Sequence, residues 1–195
     1  MEQFKLYLKL GIQHIIDIYA VDHILFLLAL SVIFLLKDWK KVLILVTAFT
    51  IGHSITLALA VTDVFRYNQN LIEYLIPTTI FVTAISNLIR KKDNFSIHRN
   101  LNRNYFFALI FGLIHGLGFA NYLKGILGKE SSIIQPLIAF NLGIEIGQVI
   151  IVGIFLIIST IFIGTFNFSR RDWVLVISSG IAGVALTLMF ESKYW

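Results

Sequence analysis

The stretch that decides the fold is residues 133–163, IIQPLIAFNLGIEIGQVIIVGIFLIISTIFI. Glu145 is the one charged residue in this run. A helix that crosses a bilayer needs about 20 consecutive, mostly apolar residues, and this run exceeds that length. It is therefore predicted to span a membrane. The carboxylate inside it points to a functional or interhelical contact, because charged groups are costly in hydrocarbon.

Apolar runs of the same character fill most of the remaining chain, which has 195 residues. They predict an all-α integral membrane protein, a bundle of six transmembrane helices forming one domain over residues 1–195. An amphipathic segment over residues 4–18 precedes them and either lies in the interface or continues into the first span as one helix from 4 to 36. The predicted spans are about 21–36, 40–62, 71–90, 104–122, 133–163 and 172–190.

The composition supports the membrane assignment. Hydrophobic residues make up 57% of the chain and charged residues 14%, against about 45–50% and 25% in soluble domains. The mean hydropathy is +0.84. The net charge of +5 is explained by basic loops at a bilayer, so lipid rather than nucleic acid is the expected partner. The absence of cysteine excludes disulfides, thiolate metal ligands and a cysteine nucleophile.

The basic residues are distributed unequally between the two sides of the predicted bundle. Ten lie in the loops after the first, third and fifth spans, and six lie on the other side. By the positive-inside rule, both termini are predicted to be non-cytoplasmic, in a bacterial inner membrane. The ten are Lys37, Lys40, Lys41, Arg90, Lys91, Lys92, Arg99, Arg103, Arg170 and Arg171, and the six are Lys5, Lys9, Arg66, Lys124, Lys129 and Lys193.

Titratable side chains within the spans are predicted to meet at one depth. At about 1.5 Å per residue, His53 and His115 lie about 18 Å beyond the basic residues Lys41 and Arg103. Similar counting brings the other groups to the same outer half of the bilayer, or just above it. The full set is Asp22, His23, His53, Glu73, His115 and Glu145.

Three imidazoles and a carboxylate suit a divalent transition metal such as zinc or nickel. The predicted ligands are His23, His53, His115 and Asp22. The alternative without metal binding is that each histidine is a hydrogen-bonded packing group. A second group of residues is predicted to support the ligands or to line a pathway. Three of its members, Asn141, Glu145 and Gln148, share one helix face because they are spaced i, i+4 and i+7. That second group is Glu145, Asn141, Gln148, Glu73, Ser54 and His14.

Two glycine pairs predict close helix packing. Gly112 and Gly116, like Gly143 and Gly147, have the small-xxx-small spacing that lets membrane helices approach each other. The fourth and fifth spans are therefore expected to pack closely near His115 and Glu145.

Five motifs resemble the HupE/UreJ family of small bacterial membrane proteins, in particular its short branch. The resemblance extends over nearly the whole chain and implies a role in nickel supply as a proposed nickel permease. The motifs are GIQH (11–14), DHILFLLAL (22–30), TAFTIGHSITL (47–57), FGLIHGLGF (111–119) and FNLGIEIGQ (140–148).

Two functional hypotheses follow from these residues. The first is a divalent-metal permease with a site in the outer half of the bilayer. The second is an intramembrane zinc hydrolase acting on a lipid or membrane-embedded substrate. In this hydrolase Glu145 or Asp22 would be the general base, and Asn141 or Ser54 would polarise a carbonyl of the substrate. A structural subunit, in which the polar residues only join helices, is the third interpretation.

Overall fold

The computed structural model describes residues 1–18, 21–64, 66–90, 101–127 and 132–192, with side chains of the fourth segment described from residue 104. The described residues form helices and short connections. The predicted all-α membrane bundle is confirmed. The helices are α1 (Glu2–Ile16), α2 (Val21–Ser31), α3 (Trp39–Val61), α4 (Gln69–Leu88), α5 (Leu101–Leu127), α6 (Ile134–Gly164) and α7 (Arg170–Glu191), with a 3-10 turn at Leu36–Asp38 before α3.

Helices α3 to α7 are each long and apolar enough to cross a membrane, which gives five candidate spans in the described part of the chain. Helices α1 and α2 make a sixth if the bent pair is counted as one span. They meet at 70°, so the single continuous helix from residue 4 to 36 is not formed. Asp17 ends α1 in an extended conformation, with φ −61° and ψ 114°.

The first predicted span is shorter in the structure than in the sequence interpretation. Helix α2 has 11 residues, which span only about 17 Å at the usual helical rise. It ends at Ser31, whose hydroxyl donates a hydrogen bond to the Leu27 carbonyl at 2.5 Å. Two short helices thus occupy the place of one straight span, and His14 in the last turn of α1 lies beside His23 in the first turn of α2.

The two glycine pairs lie at close helix contacts, but these are not the predicted contact between the fourth and fifth spans. A Cβ on Gly112 would lie 2.1 Å from the Phe49 carbonyl oxygen of α3, and one on Gly143 would lie 2.2 Å from the Leu8 carbonyl oxygen of α1. Helix α5 therefore packs tightly on α3, and α6 packs tightly on α1. The two glycine pairs serve two separate interfaces rather than one contact between the fourth and fifth spans.

The bundle has two ends, which differ in charge. The α3–α4 end contains the connection between Thr62 and Asn68, and there Lys124 donates a hydrogen bond to Asp63. The α4–α5 end contains the 3-10 turn and the start of α7. Basic residues of the described chain gather at this second end, namely Lys37, Lys40, Lys41, Arg90, Arg170 and Arg171. Which end faces the cytoplasm stays a prediction.

Candidate metal centre

Four histidines and one aspartate converge between the helices, nearer the α3–α4 end. Helix α1 contributes one histidine from its last turn, and the first turn of α2 contributes an Asp-His pair. Helices α3 and α5 each contribute one histidine from their interiors. This group, called the histidine cluster below, consists of His14, Asp22, His23, His53 and His115.

The histidine cluster contains two overlapping triads. In each triad, the potential ligand atoms all lie within 4.8 Å of one another. The first triad is His14, His23 and His53, and the second is Asp22, His23 and His115. His23 belongs to both triads, and its ring centroid lies 4.5 Å from that of His14 and 5.4 Å from that of His115.

Buried ring nitrogens without hydrogen-bond partners show that the histidine cluster fits a metal. His53 is completely buried, and neither of its ring nitrogens has a partner. His14 Nε2, His23 Nε2 and His115 Nδ1 are also buried without a partner. Buried polar atoms are nearly always hydrogen-bonded. A cation bound by these lone pairs would satisfy several of them at once.

Hydrogen bonds fix the orientation of two of the rings. Asp22 Oδ1 lies 3.2 Å from His23 Nδ1, so a proton on Nδ1 is held by the carboxylate and Nε2 is left with its lone pair. Thr79 donates its hydroxyl proton to the Ile76 carbonyl at 2.7 Å. Its oxygen is then available to accept from His115 Nε2, 3.3 Å away, which leaves His115 Nδ1, buried without a partner, available to a metal. Such outer contacts orient histidines at metal sites.

Aromatic rings enclose the histidine cluster. The Phe119 ring centroid lies 3.7 Å from that of His14, and Phe119 stacks on Phe140 at 5.2 Å. On the other side, Phe26 and Phe49 have ring centroids 5.1 and 5.2 Å from that of His115. Phe26 and Phe49 are almost completely buried and keep water from the side of the imidazoles that they cover. Electrostatic attraction between the cluster and a cation is consequently stronger than it would be in water.

A cavity of about 890 Å³ leads to the histidine cluster. His14, His23, His115 and Asp22 lie on its wall. Glu73 also lines it and accepts a hydrogen bond from Gln69 Nε2 at 3.1 Å. The remaining wall is mainly apolar and is formed by Leu10, Ile12, Gln13, Ile16, Asp17, Ile18, Ile76, Gly118, Phe119, Tyr122, Ile126 and Phe140. This space is called the entry cavity below.

The polar stripe of α6 lies elsewhere, between α6 and α3. Thr47 donates a hydrogen bond to Glu145 Oε1 at 2.5 Å, and Thr50 donates one to Gln148 Oε1 at 2.9 Å. Among the described residues, Glu145 belongs to neither triad and does not line the entry cavity. The structure thus places the stripe in an interhelical hydrogen-bond layer beside the histidine cluster.

Asn141 and Ser54, the proposed carbonyl-polarising groups, are bonded within their own helices. Asn141 Nδ2 donates to the Leu137 carbonyl at 2.8 Å, and Ser54 donates to the Thr50 carbonyl at 2.7 Å. Neither side chain lines the entry cavity. The structure does not bring them to the His and Asp side chains that could hold a metal.

Comparison with known protein families gives one match. The family model described as HupE / UreJ protein matches residues 1–192, nearly the whole chain. The chain belongs to the HupE/UreJ family. Comparisons with curated proteins and with solved structures give no match.

The five motifs that resemble the HupE/UreJ family meet around the histidine cluster. Four of them supply its members, because His14, the Asp22–His23 pair, His53 and His115 each lie in a different motif. The fifth motif lies on α6 and supplies Phe140, whose ring centroid is 5.8 Å from that of His14. Segments far apart in the sequence therefore meet at one candidate site in this member of the family.

Sequence analysis missed Thr79, which contacts His115, because threonines in an apolar helix more often bond only their own backbone. It also predicted His14 only as a residue that supports the ligands, because the amphipathic segment could also lie in the membrane interface. One signal was present for each residue. Thr79 and Thr83 have the i, i+4 spacing of a helix face, and the glycine motif before His14 favours close seating of α1.

Proposed function

We propose that this protein is a permease for a divalent transition-metal cation of the nickel or cobalt type. The observation that carries the proposal is the completely buried His53, neither of whose ring nitrogens has a partner, among three further histidines. The family, which is of the membrane nickel and cobalt transporter type, supports the same function. The multi-pass helical structure supplies the membrane setting.

The donor set favours nickel, cobalt or zinc over harder cations. Imidazole nitrogen predominates in it, whereas magnesium and calcium prefer oxygen ligands. Thiolate sites are excluded because the chain contains no cysteine. A cation would meet the carboxylates of Glu73 and Asp22 on its way through the entry cavity and would then exchange water for imidazole.

The shared histidine suggests how a bound cation can move. His23 belongs to both triads, so a cation can leave His14 and His53 for Asp22 and His115 while it keeps one ligand. Stepwise exchange avoids a fully unliganded ion in a dry environment. It also favours the weak, exchangeable binding that transport requires over a single closed site.

Metal analysis and uptake measurements test the permease together. The protein is purified in mild detergent without added metal, its metal content is measured, and the affinity for Ni²⁺ is determined for wild type, His53→Ala and His115→Ala. We expect little retained metal and Ni²⁺ binding that both variants weaken by at least about tenfold, because each removes an inner ligand. His98→Ala, a histidine in the sequence between α4 and α5, is the matched control.

Vesicles containing the protein and an entrapped nickel indicator complete the test. Uptake by wild type, and its loss in His53→Ala but not in His98→Ala, is the expected result. Binding without any uptake would contradict the permease. Wild-type binding in both histidine variants would instead favour a structural subunit.

A zinc hydrolase is the second candidate, and the shape of the entry cavity favours it. A mainly apolar space of about 890 Å³ lies in the size range of cavities for organic ligands and can hold part of a lipid. Zinc at the histidine cluster would supply an activated water. Asp22 is the carboxylate in the cluster available as a base, because Glu145 lies in the α3–α6 layer. About one tightly retained zinc per chain, without nickel uptake, would support the hydrolase.

A further inference from the structure

A second, smaller cavity lies below the histidine cluster, toward the α4–α5 end. Its volume is about 180 Å³, enough for several waters. Residues of helices α2, α3, α4 and α5 line it, and Val82 and Phe107, 52% and 46% exposed, leave it open on one side. Among its lining residues, Phe111 is the nearest in sequence to His115. Phe111 is one helical turn from His115, or about 6 Å along α5. His115 thus lines the entry cavity, and Phe111, one turn away on the same helix, lines the smaller cavity.

Three packed phenylalanine rings connect His115, on the wall of the entry cavity, with Phe111, on the wall of the smaller cavity. The Phe26 centroid lies 5.0 Å from that of Phe49 and 5.6 Å from that of Phe111. Phe26 and Phe49 are 0% and 1% exposed, and both contact the His115 ring. These three rings are called the phenylalanine layer below. The layer makes a dry barrier that a cation cannot cross while the rings remain in contact.

Hydroxyl groups on one face of α4 extend from His115 to the smaller cavity. Thr79 contacts His115 Nε2, and Thr83, one turn further on, donates its proton to the Thr79 carbonyl at 2.7 Å. Its oxygen lone pairs remain available to a cation. Thr83, Ser86 and Asn87 all line the smaller cavity. Polar groups at this spacing, in a helix that is otherwise largely apolar, mark a path rather than a packing surface.

The far wall of the smaller cavity holds the groups that an ion would meet last. Asn87 donates its amide to the Ala29 carbonyl at 2.7 Å, which leaves its own carbonyl oxygen as an ion ligand. Arg90 follows the end of α4 and lines the same cavity. Its position at the boundary of the apolar region lets water and salt screen its charge.

We propose that the smaller cavity is the release site for the cation. The ion would leave His115, pass the hydroxyls of Thr79 and Thr83, and reach Ser86 and Asn87 when the phenylalanine layer opens. Oxygen ligands replace nitrogen along this path. The ion is thus held more weakly at each step, as release requires. This inference rests on the proposed transport function and adds the exit route to it.

A pair of substitutions tests the release site by separating uptake from binding. Thr83→Val combined with Ser86→Ala removes two hydroxyls from the path but none from the histidine cluster. We expect Ni²⁺ uptake into vesicles to fall at least about tenfold, because each hydroxyl bond to a charged partner is worth more than a neutral one, while Ni²⁺ affinity in detergent stays unchanged. Thr78→Val is the control, since the Thr78 hydroxyl bonds the Tyr74 carbonyl and does not line this cavity.

Thiol labelling tests the gate independently, because the chain contains no cysteine. Ser86→Cys should react with a small hydrophilic thiol reagent added at the α4–α5 end. Reagent added only at the α3–α4 end should label it when Phe111→Ala is also present, but not otherwise.

The outcomes separate the two proposals. Normal uptake by the Thr83→Val/Ser86→Ala variant, or a Ser86→Cys thiol that no reagent reaches, would overturn the release site while the permease stands. Absence of uptake in wild type that still binds Ni²⁺ would overturn both.

Discussion

At the scale of single residues, the histidine cluster depends on which ring nitrogen of each histidine faces its centre. The bonds from Asp22 and Thr79 settle this for His23 and His115. The bonded nitrogen carries the proton in each case, and the other nitrogen keeps the lone pair that a cation needs. The Thr79 oxygen therefore acts on a metal through His115, and the Asp22 carboxylate orients His23 while it remains a potential ligand of the second triad.

Replacement of Thr79 by valine should lower metal affinity without removing a ligand. Valine fills the same volume but accepts no hydrogen bond from His115 Nε2, so the imidazole loses its fixed tautomer. We expect about a tenfold weaker affinity for Ni²⁺, measured by titration in detergent. Thr79→Ser, which keeps the hydroxyl, should restore most of the affinity.

Thr78→Val is the adjacent control for this prediction and should bind Ni²⁺ as wild type does. Unchanged affinity in Thr79→Val would mean that the contact at 3.3 Å plays no part in orienting His115. A loss of affinity in Thr79→Ser as large as in Thr79→Val would point to a packing effect instead.

The depth of the histidines was predictable from sequence, but their partners were not. Counting residues from the basic loops placed His53 and His115 at one level, because helical rise is nearly constant. Depth does not specify rotation about a helix axis. Glu145 shares that level, yet faces Thr47 rather than the histidine cluster. Side-chain direction in a bundle depends on helix contacts that a single sequence does not reveal.

At the scale of helices, α1 matters because it carries His14 into the bundle. It packs along α6, where Gly11 and Gly143 let the two backbones touch. A Cβ on Gly143 would lie 2.2 Å from the Leu8 carbonyl oxygen, and a backbone atom has no rotamer by which to move away. Helix α1 would have to shift as a whole.

Gly143→Ala should therefore displace His14 and weaken metal binding. We expect a loss of stability of about 1–3 kcal/mol, as for other overpacked contacts, and an Ni²⁺ affinity close to that of His14→Ala. The double variant should bind no more weakly than His14→Ala alone, because both changes remove the same ligand. Thermal unfolding and Ni²⁺ titration in detergent measure the two effects.

Gly153→Ala is the matched control on the same helix, since a Cβ there meets nothing within 4 Å. It should leave both stability and affinity unchanged. Additive losses in the Gly143→Ala, His14→Ala double variant would show that α1 does not deliver His14 through this contact.

The boundaries of the helices were also predictable from the sequence only in part. Runs such as α6 are long and mostly apolar, so their length and hydropathy alone indicated a span. The segment from residue 4 to 36 mixes polar and apolar residues, so hydropathy could not distinguish an interfacial helix from a bent pair. The structure contains the bent pair, and α1 packs against α6 at Gly11 and Gly143. These tertiary contacts cannot be read from hydropathy.

At the scale of the whole molecule, the two cavities and the histidine cluster define an axis through the bundle. The larger cavity lies toward the α3–α4 end and the smaller one toward the α4–α5 end, with the phenylalanine layer between them. Within the described part of the chain, the entry cavity reaches the cluster from the α3–α4 end. The direction of transport depends on which end faces the cytoplasm.

The distribution of basic residues predicts that the α4–α5 end is cytoplasmic, and the absence of cysteine makes the test direct. Thr62 and Thr165 follow the ends of α3 and α6, at opposite ends of the bundle, and both are exposed. In spheroplasts, a membrane-impermeant maleimide should label Thr62→Cys and should label Thr165→Cys only after permeabilisation. That result would make the entry cavity a port for metal uptake. The reverse pattern would place the entry cavity on the cytoplasmic side, and the same histidine cluster would then serve export.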